Sequence, residues 1–562
     1  MRLLPLRFST LASLFAVALA THGFAADPAQ PPRLAVAIAV DQLCYDYLIR
    51  FRPHFVAGGF ERLLSGGTNF ENCTYRYAGT KTAVGHATML TGCNPEIHGI
   101  IANEWTDRET LLGGVAVEDR DAPLVGLAPT TMRLPGGALD PRSGRSPRRM
   151  VAATIGDQLK ATYGAPSRVF GISNKDRSAI LMAGARADGA YWDESGRMVT
   201  STYYREALPA WVEAFNDRRL VAASFGKTWE RLLDPALYDA IQGPDDAEGE
   251  MIGSGLDRTF PHVINGGDTY PGGNFYGIYD STPFASEFLA GFAREIIEQE
   301  ALGADEIPDL LCVSFSQIDS VGHNFGPDSH EVMDSILRLD RTLAEFLTYL
   351  DRRIGPGRYV VVLTADHGVA PNPERTAVTR PHIPTGRIRG RDLDVRMTAA
   401  LEAALGPLPE GEVWFARDNQ GFHLRASALA SRGLDATNVA LVLRDALLKD
   451  PIVEMAYTRA EILAAPAGHG TALLDLVRRS YFPARGQDVL FVVKPYFVEK
   501  ADYGTNHGSP WIYDRHVPQL WYGAGVPRRW RAEPVGMEDI APTLATLLGI
   551  PPPPQATGRS LF

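Results

Sequence analysis

The 562-residue chain has no excess of basic residues: 55 Lys and Arg stand against 66 Asp and Glu, for a formal net charge of −11. An acidic surface of this kind excludes nucleic acid as the main partner, because phosphate backbones are held by Lys and Arg. The chain also lacks an apolar run long enough to cross a bilayer. The longest near the amino terminus is Leu11–Ala20 (LASLFAVALA). It follows Arg2 and Arg7 and precedes Gly23 and Ala25, small residues at −3 and −1 of a cut before Ala26. That pattern predicts a signal peptide over residues 1–25, a mature chain of 26–562, and export to the periplasm or medium without a membrane anchor. Cysteine is scarce. Cys44, Cys73, Cys93 and Cys312 allow three pairings in an exported protein, and Cys312 fits equally well as a buried thiol in an apolar strand. There is no internal repeat, and no low-complexity tract beyond Pro551–Pro554.

What is present is an ordinary globular composition, 45% hydrophobic and 22% charged. Short apolar runs at 34–40, 169–172, 310–315, 359–363 and 490–493 read as buried strands of a mostly parallel sheet. Helical patterns alternate with them. The clearest joins Val332, Ile336, Leu339, Leu343, Phe346, Leu347 and Leu350 and stops near Gly355. This alternation predicts an α/β fold, a three-layer α/β/α sandwich around a mostly parallel central sheet. Two stretches, roughly 183–275 and 375–500, are too long for loops and are expected to build cap insertions. Segments 413–417 and 438–448 carry strand and helix signals within the second.

Residues suited to metal ligation follow the ends of these strands. Asp41 ends the first. Asp319 and His323 follow the run at 310–315, and their spacing of four puts both on one face of a helix. Asp366 and His367 follow 359–363, and His507 sits between Gly504 and Gly508. Singly, each reads as a turn, cap or surface residue. Together they offer mixed Asp and His donors that suit Zn²⁺ better than Ca²⁺ or Mg²⁺, with positions left open for a substrate. Two close divalent cations clamp the attacking and leaving oxygens of a phosphoryl transfer.

The segment Gly79–Gly92 (GTKTAVGHATMLTG) supplies a nucleophile, with Thr80, Thr82 and Thr88 in competition. Thr82 precedes an apolar helical stretch and is expected to be its N-cap, beside backbone N–H groups that favour a phosphate. The Asn103 amide would donate to a phosphoryl oxygen. Lys175 and Arg177, two apart in a loop after the strand at 169–172, would aim the same way at the oxygens of a phosphate monoester.

At these residues the chain resembles the alkaline phosphatase superfamily. It looks most like the PafA-type bacterial alkaline phosphatases, in the branch shared with nucleotide pyrophosphatase/phosphodiesterases. The resemblance covers nearly the whole mature chain, through AVDQ at Asp41, TKTAVGHATMLTG around Thr82, HGIIANEW around Asn103, NKDR at Lys175–Arg177, FSQIDSVGHNFGP, TADHG, TNHGSP before YDRHVP, and MEDIAPTLATLLGI near the end. It implies two Zn²⁺ per chain, one held by Asp319, His323 and His507 and the other by Asp41, Asp366 and His367, with Thr82 bridging during catalysis. It implies that Asn103, Lys175 and Arg177 hold the phosphoryl oxygens. It implies hydrolysis of small phosphate monoesters through a phosphothreonine, with a phosphodiesterase or nucleotide pyrophosphatase as the alternative. Mainly diesterase relatives lack the Lys/Arg pair, so its presence favours monoesters. Sulfatases of the superfamily need Cys-x-Pro-x-Arg. Here Cys93 is followed by Ile97 in place of that Arg and lies downstream of the nucleophile position.

Overall fold

A computed structural model describes residues 31–562 except 109, 128–143, 254 and 466–470. The expected signal peptide therefore lies outside the described residues. No helix among the described residues is long and apolar enough to cross a membrane.

The strand Leu34–Val40 (LAVAIAV) is buried along its whole length, as a strand apolar on both faces must be. It pairs in parallel with Asp309–Phe315 on one side and Tyr359–Thr364 on the other. Val169–Ser173 and then Gly189–Glu194 extend the parallel array. On the other flank His516–Gly523 and Thr68–Thr74 follow, each pairing antiparallel with the strand before it, giving an 11-stranded sheet among the described residues. Helices pack against it around one large core, so the α/β/α architecture is as expected. The register sets Val40 against Phe315 and Ala39 against Thr364. The carboxyl ends of three central strands thus lie level, and the chain leaves them along one edge of the sheet, where open α/β folds bind ligands.

The amphipathic helix spans His330–Arg353, its seven apolar positions all buried. Two expectations change. The strand at Val489–Val493 does not belong to the main sheet. It pairs with Gly421–Leu424 and Val453–Thr458 in a separate four-stranded antiparallel sheet with its own apolar core around Phe422, Leu443 and Phe491. A short apolar run carries no mark of which sheet it joins. The stretch 183–275, in turn, is not all cap. Gly189–Glu194 and Arg197–Ser201 form a hairpin that continues the main sheet. All four cysteines are free, and Cys312 is a buried thiol.

Candidate active site

Asp41 directly follows its strand, and its backbone N–H donates to the Phe315 carbonyl (2.9 Å). Asp319 and His323 lie on the helix Gln317–Phe325, and the expected shared face is real: His323 Nε2 is 3.2 Å from Asp319 Oδ1. Asp366 and His367 leave the strand Tyr359–Thr364. His367 Nε2 lies 3.3 Å from Asp41 Oδ1 and 3.4 Å from Asp366 Oδ2. His507 arrives from far along the chain, stacks on the His367 ring (centroids 3.4 Å apart) and places Nε2 3.7 Å from Asp319 Oδ1.

Five of these six side chains form two donor groups that share His367, Asp41–Asp366–His367 and Asp319–His367–His507, each within reach of one ion. The first is the set the resemblance implies. In the second, His367 stands where His323 was expected, although His323 adjoins Asp319.

The protonation pattern suits a cation. Each of the three histidines turns Nδ1 to a backbone carbonyl: His323 to Thr505 (2.9 Å), His367 to Gly368 (2.9 Å) and His507 to Thr80 (2.7 Å). A carbonyl can only accept, so Nδ1 carries the proton and Nε2 keeps its lone pair. Burial pushes the His367 imidazole down to about 4 and the His507 imidazole well below the usual range, which keeps both neutral. Asp41 Oδ1 and Asp366 Oδ2 are buried and have no hydrogen-bond partner. Orphaned carboxylate oxygens beside free imidazole lone pairs are a donor set for a metal such as Zn²⁺. Burial, with the charge of Asp41, pushes the Asp366 carboxyl well above its ordinary range. At Asp319 burial works in the same sense, but His323 and Lys175 outweigh it and hold that carboxyl well below. His86 is a useful contrast. Its Nδ1 meets the Thr82 carbonyl (2.7 Å) and its Nε2 the Ser314 hydroxyl (2.8 Å), so neither nitrogen is free to ligate.

Thr82 Oγ lies 3.5 Å from His367 Nε2, on the edge of the first group. Thr82 is not the N-cap, however. That position is Lys81, and Thr82 is the first residue of the helix Thr82–Thr91. The Thr82 hydroxyl is thus left without a capping role. The helix packs close: a Cβ added at Gly85 would fall 2.2 Å from the Asp366 carbonyl oxygen. Asn103 Oδ1 accepts from the Ala83 N–H (2.8 Å), which reserves its NH₂ for another acceptor. Lys175 caps the helix Asp176–Ala183, and Arg177 is the second residue of that helix, so only the first of the pair has extended backbone. Lys175 Nζ bridges Asp41 Oδ2 (2.7 Å) and Asp319 Oδ2, one carboxylate from each group. Among the described residues, Arg177 has Asp176 as its ion-pair neighbour (3.8 Å), and its Nε is buried without a hydrogen-bond partner there.

Two residues, Gln42 and Lys81, escaped the sequence reading, and Thr80, expected only as a competing nucleophile, takes another role. Gln42 adopts a left-handed backbone (φ 67°). From there its N–H donates to Asp366 Oδ1 (3.2 Å) and its Nε2 to Asp319 Oδ1 (2.6 Å), so one residue orients a carboxylate of each group. Only its adjacency to Asp41 hinted at this. Lys81 Nζ donates to the His507 carbonyl (3.0 Å) and Thr80 Oγ to the Ser509 carbonyl (3.0 Å). With the His507–Thr80 bond, they lace the loop before Thr82 to the loop that carries His507. Gln42→Ala should weaken metal retention or kcat/KM about 10- to 100-fold, the usual cost of losing a residue that orients a ligand. Metal content and kinetics of the purified variant check it; unchanged values for both would show that the two carboxylates hold their places unaided.

Residues 35–470 match the family model for type I phosphodiesterase / nucleotide pyrophosphatase. The chain is 34% identical to alkaline phosphatase PafA of Elizabethkingia meningoseptica, over 94% of this chain and 94% of that protein. It is 32% identical to alkaline phosphatase PhoV of Synechococcus elongatus (94% and 92% covered) and to alkaline phosphatase PhoK of a Sphingomonas species (95% and 91%). The crystal structure of wild-type PafA superposes with a TM-score of 0.86 at 32% identity, covering 94% of this chain and 98% of that one. A solved PafA variant is altered at a Thr, an Asn, a Lys and an Arg, spaced in pairs as Thr82–Asn103 and Lys175–Arg177 are here. The chain therefore belongs to the type I phosphodiesterase / nucleotide pyrophosphatase family, on the side of it occupied by the PafA-type alkaline phosphatases.

Proposed function

We propose that this chain is an exported, dizinc alkaline phosphatase that hydrolyses small phosphate monoesters through a covalent phosphothreonine on Thr82. The observation that carries the reading is the meeting of the two donor groups at His367, with the Thr82 hydroxyl 3.5 Å from that ring. Asp41, Asp366 and His367 would hold one Zn²⁺, and Asp319, His507 and the adjoining His323 the other. When bound, Zn²⁺ supplies Lewis-acid stabilisation of the attacking and leaving oxygens and lowers the pKa of a nearby hydroxyl or water.

The chain's own residues do the rest. Thr82 Oγ, its proton lost to solvent, attacks phosphorus. The new Oγ–P bond forms as the bond to the leaving alcohol breaks, and the alkoxide takes a proton from water. Water then attacks the phosphothreonine, releases inorganic phosphate and restores Thr82. Asn103, oriented by Ala83, donates its NH₂ to a phosphoryl oxygen. Lys175 and Arg177 supply the positive charge that a monoester dianion needs and a diester monoanion needs less. Carboxylates neutralised by cations make smaller demands on Lys175, whose ammonium is then available to substrate.

The family's name admits a second reading, a phosphodiesterase on the same donors. Lys175→Ala combined with Arg177→Ala tests the choice. Loss of two charge-assisted contacts at about 1.5–3 kcal/mol each should lower kcat/KM for a monoester about 10²- to 10⁴-fold. A matched diester should lose at most about tenfold, since it presents one fewer negative charge. Equal losses for both substrates would show that the pair does not read the monoester charge.

A further inference from the structure

The Asp176 carboxylate stands between two guanidinium groups. Asp176 is the first residue of the helix Asp176–Ala183, and its Oδ1 accepts the Arg177 N–H (2.6 Å). The same oxygen lies 3.8 Å from Arg177 Nη1. That is close enough to attract the guanidinium and too far to take up one of its N–H groups. The other oxygen, Oδ2, accepts from Arg145 Nε (2.5 Å). The Asp176 and Arg145 side chains are only 16% and 19% exposed, so water screens this contact less than it would an exposed surface pair.

Arg145 is fastened in turn. Its N–H donates to the Ala122 carbonyl (2.8 Å), and its Nη1 to the Gly144 carbonyl (3.0 Å). The next residue, Ser146, donates its N–H to the Val117 carbonyl (2.9 Å). One position before Val117, Ala116 donates its N–H to the Asn103 carbonyl (2.8 Å). A continuous strap therefore runs from Asn103 through 116–117 and 145–146 to Asp176 and Arg177. At its two ends stand the amide and the guanidinium proposed above to hold phosphoryl oxygens.

Position matters more for this guanidinium than for an ammonium, because an Arg fork holds two oxygens only in a planar, directed geometry. A carboxylate free to turn would pair with Arg177 through both oxygens and compete with the substrate. With Oδ2 committed to Arg145, Asp176 offers Arg177 one oxygen, at ion-pair distance. We propose that Asp176 and Arg145 are positioning residues that set the Arg177 guanidinium for a phosphate monoester dianion. The proposal rests on the monoesterase reading above, and the test separates the two.

Asp176→Asn keeps an acceptor for the Arg177 N–H and removes the charge. With p-nitrophenyl phosphate and bis-p-nitrophenyl phosphate as substrates, kcat/KM should fall about tenfold for the monoester and about twofold for the diester. Added to Arg177→Ala, the same substitution should lower the monoester value by less than about twofold further, because residues that act as a unit are not additive. Arg145→Gln, which leaves residues 175–177 as they are, should lower the monoester-to-diester ratio by about threefold. A merely structural role would lower both substrates alike and add its full effect to that of Arg177→Ala. An unchanged ratio in both variants, or full additivity, overturns the proposal while Arg177→Ala alone still lowers the ratio. If Arg177→Ala itself leaves the ratio unchanged, Arg177 does not read the monoester charge, and both readings fall together.

Discussion

Thr82→Ala should lower kcat for p-nitrophenyl phosphate by at least about 10³-fold and up to about 10⁶-fold, the range seen when a covalent nucleophile is removed from an otherwise intact site. The physical basis is narrow. Thr82 Oγ is the hydroxyl beside His367, while Thr80 Oγ is committed to the Ser509 carbonyl and Thr88 Oγ to the Val84 carbonyl (2.8 Å). Of the three threonines that competed on sequence grounds, only Thr82 faces the donor groups. The substitution should cost little stability, because Thr82 is not the helix cap and its backbone is unchanged. Zinc content should stay at the wild-type value, since the six Asp and His donors are untouched. Steady-state kinetics with metal analysis on the same preparation read both quantities. Near-wild-type turnover with full zinc would assign the nucleophile to another group.

Removing the metal should be as severe. Treatment with a zinc-selective chelator should reduce monoester hydrolysis to background. Two equivalents of Zn²⁺ should restore it, and Ca²⁺ or Mg²⁺ alone should not, because the imidazole donors favour zinc. Stability should fall along with activity. Without cations, Asp41, Asp319 and Asp366 share one buried region with a single bridging ammonium, that of Lys175. Ions that bind only the native state contribute stability in proportion to the logarithm of their concentration over Kd, so Tm should rise with added zinc and level off. Metal affinity should weaken as pH falls, because protons compete for His Nε2 and for the carboxylates. Activity retained in protein shown to be zinc-free would end the metalloenzyme reading.

Much of this was legible in the chain. Leu34–Val40, Asp309–Phe315 and Tyr359–Thr364 are apolar on both faces, and that alone marks buried parallel strands. Their ends carried the Asp and His residues, so the edge of the sheet that holds the site was readable too. The spacing of Asp319 and His323 predicted their shared helical face correctly. What was hidden depended on contacts distant in sequence. Val489–Val493 looks like the core strands, but its partners Gly421–Leu424 and Val453–Thr458 place it in another sheet. The helix start at Thr82 was offset by one residue because Lys81, a weak capping residue, occupies the cap with no side-chain bond. Gln42 carries no motif of its own. Its importance comes from a positive φ and from two carboxylates 277 and 324 positions away. The sharing of His367 between donor groups is likewise a matter of distances that no spacing in the chain encodes.

The zinc-loaded site should hydrolyse phosphate monoesters in preference to diesters. The most direct measurement is kcat/KM of the zinc-loaded wild type for a monoester and a diester with the same leaving group, p-nitrophenyl phosphate and bis-p-nitrophenyl phosphate. The monoester should be preferred by at least about 10²-fold, the share expected from Lys175 and Arg177 reading the additional negative charge. Equal values, or a preference for the diester, would contradict it.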